Sequence, residues 1–251
     1  MTNGTATNGA MTPGTLMSGT GTSPTATPSP QSLYLLGYSA AVLPLLTMHL
    51  CFLVSAWQGH IDWCMPYWSH CVSISRAGRY GLSYFLFKGG FIPTTILLGF
   101  FWQLSVLWLQ LLTGRRDRWL PWIGWLASLS LLVYTLALGH HGDAFRQLRR
   151  AGVILFMGLT FIAQVRVSSA LAQSRSLQRA GRRLLAFCGF ILAIALVSLG
   201  LDAAMGSDYD MIEDTFEWWL VMLLIVHFFA LARLWQRSGF RLQPAVSPGG
   251  G

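Results

Sequence analysis

The chain has 251 residues, of which 53% are hydrophobic and 10% are charged, and its formal net charge is +8. A soluble domain carries about a quarter charged residues, so lipid must cover part of this protein's surface. The positive charge alone would fit a nucleic-acid partner. We exclude nucleic acid because the arginines form short clusters between apolar runs and no single basic stripe.

The first 32 residues differ in composition from the rest of the chain. They are rich in Thr, Gly, Ser, Pro and Asn, and they contain no Lys or Arg. We therefore expect residues 1–32 to form a disordered tail and not a signal peptide. Residues 237–251 are expected to form a flexible C-terminal tail, which leaves residues 33–236 as the membrane domain.

Six apolar runs follow the N-terminal tail, and each is long enough to cross a bilayer as a helix of about 20 residues. The sequence therefore predicts an all-α, polytopic integral membrane protein with six transmembrane helices. The second run could begin as early as Tyr84. The predicted spans are Leu33–Ala56 with a kink at Pro44, Gly89–Leu112, Trp119–Leu138, Ala151–Ala172, Leu184–Leu201 and Phe216–Trp235.

Charges in the linkers predict the orientation of the spans. The linkers "GRRDR" and "QSRSLQRAGRR" and the end after the last span are basic. Because basic loops stay in the cytoplasm, we expect both termini to be cytoplasmic. Arg146, Arg149 and Arg150 are an exception, since they fall on the outer side. The compact loops favour a bacterial inner membrane.

The first outer linker contains the segment "DWCMPYWSHCVSIS", residues 62–75. In an oxidising outer compartment, Cys64 and Cys71 could form a disulfide that closes an eight-residue loop. Two free thiols remain an alternative. A zinc site with His70 is disfavoured, because the spacing matches no known finger or ribbon. We predict no metal and no cofactor.

Several polar side chains fall at membrane depth. His49 and His227 could share a metal or haem, or could each make interhelical hydrogen bonds. Lys88 should either reach the outer surface or pair with an acid, and the Gly89-Gly90 pair behind it would allow close approach of a helix or a head group. Arg166 is expected to extend its side chain to the cytoplasmic surface.

A possible acid–base cluster lies on the outer side. Glu217 opens the last span, where a carboxylate could act as an acid or base or bind Lys88 or Arg79. His141 and Asp143 could activate Ser73 or Ser75 as a nucleophile, although no Gly-x-Ser-x-Gly or His-Glu-x-x-His motif is present. The candidate catalytic residues are therefore Ser73, Ser75, His141, Asp143 and Glu217.

The segment Ser73-Ile74-Ser75, the run "YFLFKGGFIP" and the pair Glu217-Trp218 together resemble the FRAG/DRAM/SFK family. That family includes a GPI-anchor lipid-remodelling factor, the damage-regulated autophagy modulators and the N-terminal part of a yeast cell-wall protein. The segment "RAGRYG" after the serines departs from the family pattern. The resemblance implies a role in handling or remodelling membrane lipids, without assigning catalytic residues.

These observations lead to one leading hypothesis and two alternatives. The protein is expected to bind, remodel or organise membrane lipids, with head groups held by Ser73, Ser75, Lys88 and Glu217. A homo-oligomer or a membrane-protein partner is also compatible with the sequence. The alternatives are a membrane acyltransferase or hydrolase, and a small proton-coupled transporter with His49, His227 and Glu217 along its path.

Overall fold

The computed structural model describes residues 31–242, and most of them are helical. A 3₁₀ turn, Gly206–Tyr209, connects the last two helices. The helices are α1 Tyr34–Trp57, α2 Ile74–Ala77, α3 Gly81–Thr113, α4 Leu120–Ala137, α5 Asp143–Gln173, α6 Gln178–Met205 and α7 Asp210–Arg237.

Six of these helices, all except α2, are long and apolar enough to cross a membrane. The predicted fold class, an all-helical membrane protein with six spans, is confirmed. The observed helices are longer than the predicted spans: α3 begins at Gly81 instead of Gly89, and α5 at Asp143 instead of Ala151. A helix of 31 residues is about 46 Å long, so its ends continue beyond a hydrocarbon core of about 30 Å. Polar residues in those end turns still make backbone hydrogen bonds.

The six long helices form a closed ring. Each packs against its neighbours in chain order, and α7 packs back against α1. The helix α1 is continuous through Pro44. Large aromatic side chains fill the interior, including Phe101, Trp102 and Trp235, which are fully buried. Leucines and phenylalanines such as Phe100 and Leu196 point outward, as expected for a surface in contact with lipid tails.

A short strand pair joins the two ends of the described chain. Strand β1, Gln31–Ser32, pairs antiparallel with strand β2, Arg241–Leu242. The hydroxyl of Tyr38 adds a hydrogen bond of 3.0 Å to Oε1 of Gln236. The folded body thus includes residues that the sequence had assigned to the two tails. The rest of those predicted tails, residues 1–30 and 243–251, lies outside the described residues.

The alternating helices give the bundle two ends. We call the end with residues 58–80, 138–142 and 206–209 the loop face. The opposite end carries the strand pair and the linkers 114–119 and 174–177, and we call it the termini face.

Candidate functional site

The first linker of the loop face is a compact turn. A disulfide joins Cys64 to Cys71, and their Cα atoms are 6.6 Å apart. Inside the loop that it closes, the backbone N–H of Trp68 donates to the carbonyl of Met65 at 2.9 Å. The loop therefore has its own internal hydrogen bond in addition to the covalent link.

The start of α7 holds this linker in place. Nε1 of Trp218, which is fully buried, donates to the carbonyl of Val72 at 2.8 Å. Nε1 of the next residue, Trp219, donates to the carbonyl of Tyr67 at 3.1 Å. Indole N–H groups can only donate, so two backbone carbonyls of the linker are satisfied by α7.

The two serines of the linker begin the short helix α2. Ser73 is its N-cap, and its Oγ accepts a hydrogen bond of 3.3 Å from the backbone N–H of Arg76. The hydroxyls of Ser73 and Ser75 are also within 3.3 Å of each other. Ile74 and Ala77 point inward and are buried. The Ser-Ile-Ser segment is thus a helix start whose apolar residue anchors it to the core.

Both serines line a cleft of about 530 Å³ on the loop face. We call it the loop-face cleft. Its walls are α2 with the following turn, the first part of α5, and the start of α7, and Tyr134 of α4 lies at its base. Ser198 and Tyr209, from the end of α6 and the 3₁₀ turn, complete the lining.

One wall of the loop-face cleft is basic. Arg76 and Arg79 come from α2 and the following turn, and Arg146, Arg149 and Arg150 come from the first two turns of α5. The three arginines of α5 share a side of the helix because their spacing is three and four residues.

The facing wall is acidic. Glu213, Asp214 and Glu217 line the cleft from the first turns of α7. Glu213 and Asp214 precede Glu217 by four and three residues, so both lie on the same side of the helix as Glu217. Within the described residues, no ion pair within 4.0 Å joins these acids to the basic wall.

Polar groups at the base of the cleft lack partners. Tyr134 is only 4% exposed, and its hydroxyl lies near Ser75 but makes no hydrogen bond of good geometry with the described residues. Nε of Arg79 is also buried without a partner there. Unpaired buried donors cost free energy, so these atoms indicate a place where water or a ligand is bound.

The loop-face cleft continues into an apolar groove. Met157 of α5 and Leu220 of α7 line both the cleft and the groove. The groove has a volume of about 170 Å³, and its lining is entirely apolar. We call it the α5–α6–α7 groove, and its other lining residues are Gly158, Phe161, Ile191, Leu192, Ala195 and Leu224.

Comparison with known families gives one match. A family model described as the Frag1/DRAM/Sfk1/Cwh43P N-terminal domain matches residues 32–233. This chain belongs to that family. The resemblance found in the sequence is therefore confirmed. Neither a curated protein nor a solved structure matches the chain.

In this Frag1-family chain, two of the three motifs that carried the resemblance, Ser73-Ile74-Ser75 and Glu217-Trp218, meet in space. Trp218 bonds the residue that precedes Ser73, and the backbone N–H of Ile74 faces the carboxylate of Glu217. Residues that are more than 140 positions apart in sequence thus form one corner of the loop-face cleft. Ser73, Ser75 and Glu217, all predicted to contact a head group, lie in this corner.

Lys88, the fourth residue predicted to contact a head group, lies away from this corner. Its Nζ donates to the hydroxyl of Tyr84 at 2.6 Å and to the carbonyl of Leu136 at 3.5 Å. It therefore bonds neutral oxygens of α3 and α4, and the structure shows no acidic partner for it within the described residues. Lys88 does not line the loop-face cleft.

The predicted acid–base cluster is not assembled. His141 and Asp143 line a smaller adjoining cleft of about 260 Å³. The carboxylate of Asp143, at the start of α5, pairs with Arg146 at 2.7 Å instead of with a histidine. The hydroxyls of Ser73 and Ser75 bond each other and not an imidazole.

The two intramembrane histidines have separate partners. Nδ1 of His49 faces the carbonyl of Leu45 at 2.7 Å, so Nδ1 carries the proton and Nε2 accepts from the hydroxyl of Tyr67 at 2.9 Å. Burial raises the pKa of Tyr67 to about 12, which keeps that hydroxyl protonated. His227 bonds Ser168 at 3.0 Å. Each histidine thus makes its own hydrogen bonds. This arrangement agrees with the hydrogen-bonding interpretation of the two histidines.

On the termini face, Arg166 extends to the linker that follows α3, where it pairs with Asp117 while 38% of its side chain stays exposed. Its Nε and Nη2 donate to Asp117 at 2.9 and 2.8 Å. The same carboxylate caps α4 by accepting from the backbone N–H groups of Trp119 and Leu120 at 2.9 and 3.1 Å. Burial alone would raise the pKa of Asp117, but the bonds from Arg166 and the two amides lower it below its ordinary value. Arg166 thus exchanges part of its hydration for two charge-assisted hydrogen bonds to one carboxylate.

The sequence analysis did not identify the arginines of the cleft as site residues. It did contain an indication, because Arg146, Arg149 and Arg150 are the residues that break the basic-inside pattern of the linkers. In this Frag1-family protein they line a cleft. The charges that contradict the orientation rule are thus the ones that line the cleft.

Proposed function

We propose that this protein binds a membrane lipid, with the head group in the loop-face cleft and an acyl chain in the α5–α6–α7 groove. The observation that carries the proposal is the continuity of a charged cleft with a purely apolar groove through Met157 and Leu220. A phospholipid has the same division between a polar and an apolar part. Family membership supports a role in handling or remodelling lipids.

The test is native mass spectrometry of the full chain purified in mild detergent. The wild-type protein should retain a lipid class that is enriched over the bulk membrane. Leu220→Trp should abolish that retention, because an indole at the junction blocks the path from cleft to groove. Leu196→Trp is the matched control, since Leu196 is an exposed leucine of α6 outside both linings. A retained lipid mixture identical to the bulk membrane would contradict the proposal.

The two alternative functions have less support in the structure. A hydrolase or acyltransferase would need a base bonded to Ser73 or Ser75; these hydroxyls bond each other, His141 lines the adjoining cleft, and Glu217 lies in the same corner without a hydrogen bond to either serine in the described residues. A proton path through His49, His227 and Glu217 would need a continuous chain of polar groups. The two histidines instead have separate hydrogen-bonding partners on different elements.

The proposal includes a location in a bacterial inner membrane, with the termini face toward the cytoplasm. It is supported by the basic linkers 114–119 and 174–177 on that face. Alkaline phosphatase, which is active only outside the cytoplasm, tests it as a fusion partner. Fusion after residue 242 should be inactive, and fusion within residues 138–142 should be active. The reverse pattern would invert the orientation.

A further inference from the structure

The loop-face cleft has walls of opposite charge, and within the described residues no ion pair within 4.0 Å joins them. Five arginines line one side and three carboxylates line the other. In the described residues, the ion pair made by a cleft arginine is the exposed one from Arg146 to Asp143, which lies on the same helix. The charges across the cleft therefore remain available to a ligand that carries both signs.

The unpaired groups at the base support an occupied site. The hydroxyl of Tyr134 and Nε of Arg79 are both buried donors without partners in the described residues. A phosphate oxygen accepts such hydrogen bonds strongly, and guanidinium groups recognise phosphate in a bidentate geometry. Arg149 is partly engaged, because Nη1 donates to the carbonyls of Ala137 and His140. These two hydrogen bonds fix the position of Arg149 in the basic wall.

We propose that the ligand of this cleft is a phospholipid whose head group carries a phosphate and a primary ammonium. The phosphate binds the arginine wall with Arg79 and the hydroxyl of Tyr134. The ammonium binds the carboxylates of Asp214 and Glu217 on α7. This inference rests on the proposed lipid-binding function and specifies the head group.

Charge and hydrogen bonding favour an ammonium over other head-group termini. A trimethylammonium has no N–H to donate to the carboxylates. A hydroxyl can donate but leaves the negative charge of the carboxylates without a counter-charge in a partly desolvated cleft. A primary ammonium supplies both an N–H donor and a positive counter-charge. The apolar groove that leads away from the cleft favours a lipid over a soluble phosphate ester that carries an ammonium.

The experiment compares three phospholipids with identical acyl chains. The purified full chain is incubated with equal amounts of phosphatidylethanolamine, phosphatidylcholine and phosphatidylglycerol, and bound lipid is counted by native mass spectrometry. We expect phosphatidylethanolamine to be preferred over each of the others by about tenfold, the value for one charged hydrogen bond. Soluble glycerophosphoethanolamine at a similar concentration should not compete, because it lacks acyl chains.

Two substitutions separate the two ends of the head group. Asp214→Asn should remove most of the preference for phosphatidylethanolamine over phosphatidylcholine while leaving the binding of phosphatidylcholine unchanged. Arg79→Gln should weaken all three lipids by about tenfold. The matched controls are Asp202→Asn and Arg175→Gln, which change the same side chains outside the cleft and should alter neither value.

The outcomes distinguish this inference from the proposed function. If lipid is retained and blocked by Leu220→Trp but the three head groups bind equally, the head-group assignment is wrong and lipid binding stands. A preference for phosphatidylglycerol, or efficient competition by the soluble head group, would also overturn the assignment. If the wild-type chain retains no lipid, both proposals fail. The comparison of lipids on the wild-type protein needs no variant to fold.

Discussion

Nε1 of Trp218 donates a hydrogen bond of 2.8 Å to the carbonyl of Val72, and it joins two segments that are 146 residues apart in sequence. The bond positions α2 against α7. Because Ser75 and Glu217 line the cleft from these two elements, its geometry depends on this contact.

Trp218→Phe tests the contribution of this bond. The substitution keeps an aromatic ring but leaves a buried carbonyl without a donor, which should lower the free energy of unfolding by about 1–3 kcal/mol. Thermal unfolding in detergent measures the change. Trp219→Phe removes the same group from a less buried indole and should cost less. Equal shifts for both variants would show that the Val72 contact is not special.

The disulfide should add stability without creating the cleft. Closing an eight-residue loop stabilises by about 2.5 kcal/mol in the chain-entropy account. The double variant Cys64→Ser/Cys71→Ser should therefore unfold at lower temperature, yet retain lipid at its normal level. The linker remains attached to α7 through Trp218 and through the bond of 2.8 Å from His70 to Thr215. Loss of lipid retention at a temperature where the variant is folded would contradict this expectation.

Gly89 and Gly90 should respond differently to a methyl group. A Cβ at Gly90 would overlap the side chain of Thr47 on α1, whereas a Cβ at Gly89 meets nothing within 4 Å. Gly90→Ala should therefore lower the free energy of unfolding by about 1–3 kcal/mol. Gly89→Ala is the matched control and should be neutral or stabilising by up to about 1 kcal/mol, since Ala favours helix. Similar effects at both positions would be inconsistent with the close approach of α1 and α3.

The pair Asp117–Arg166 predicts a dependence of stability on pH. The folded state lowers the pKa of Asp117, so the carboxylate stabilises the fold fully above its unfolded value of about 3.9. That contribution is lost as the pH falls through the lower, folded value. Unfolding midpoints measured from pH 6 to pH 3 should fall for the wild type and fall less steeply for Asp117→Asn. Asp143→Asn, which removes an exposed pair, should leave the wild-type slope unchanged.

Structural features that depend on local hydrophobicity can be predicted from the sequence. The six spans follow from apolar runs, because lipid demands them at each position along a span. Their ends do not, because polar turns such as residues 143–150 extend α5 beyond the apolar run, where hydrophobicity gives no signal.

Long-range pairs explain the rest of what was missed. Arg166 reaches the termini face, but its ion pair was not predicted because its partner, Asp117, is 49 residues away in a separate linker. The cleft likewise requires α2, α5 and α7 to converge, and the order of helices around the ring decides this. Ser73, Ser75 and Glu217 line one cleft, and the sequence singled them out through short motifs and through the position of Glu217 at the start of the last span.

The strand pair of β1 and β2 determines where the chain leaves the bundle. Gln31 and Leu242 are paired, so the first and last described residues lie side by side on the termini face. A partner that contacts this strand pair would meet the bundle at the end opposite the loop-face cleft. Its effect on a ligand of the cleft would have to pass along the helices between the two faces.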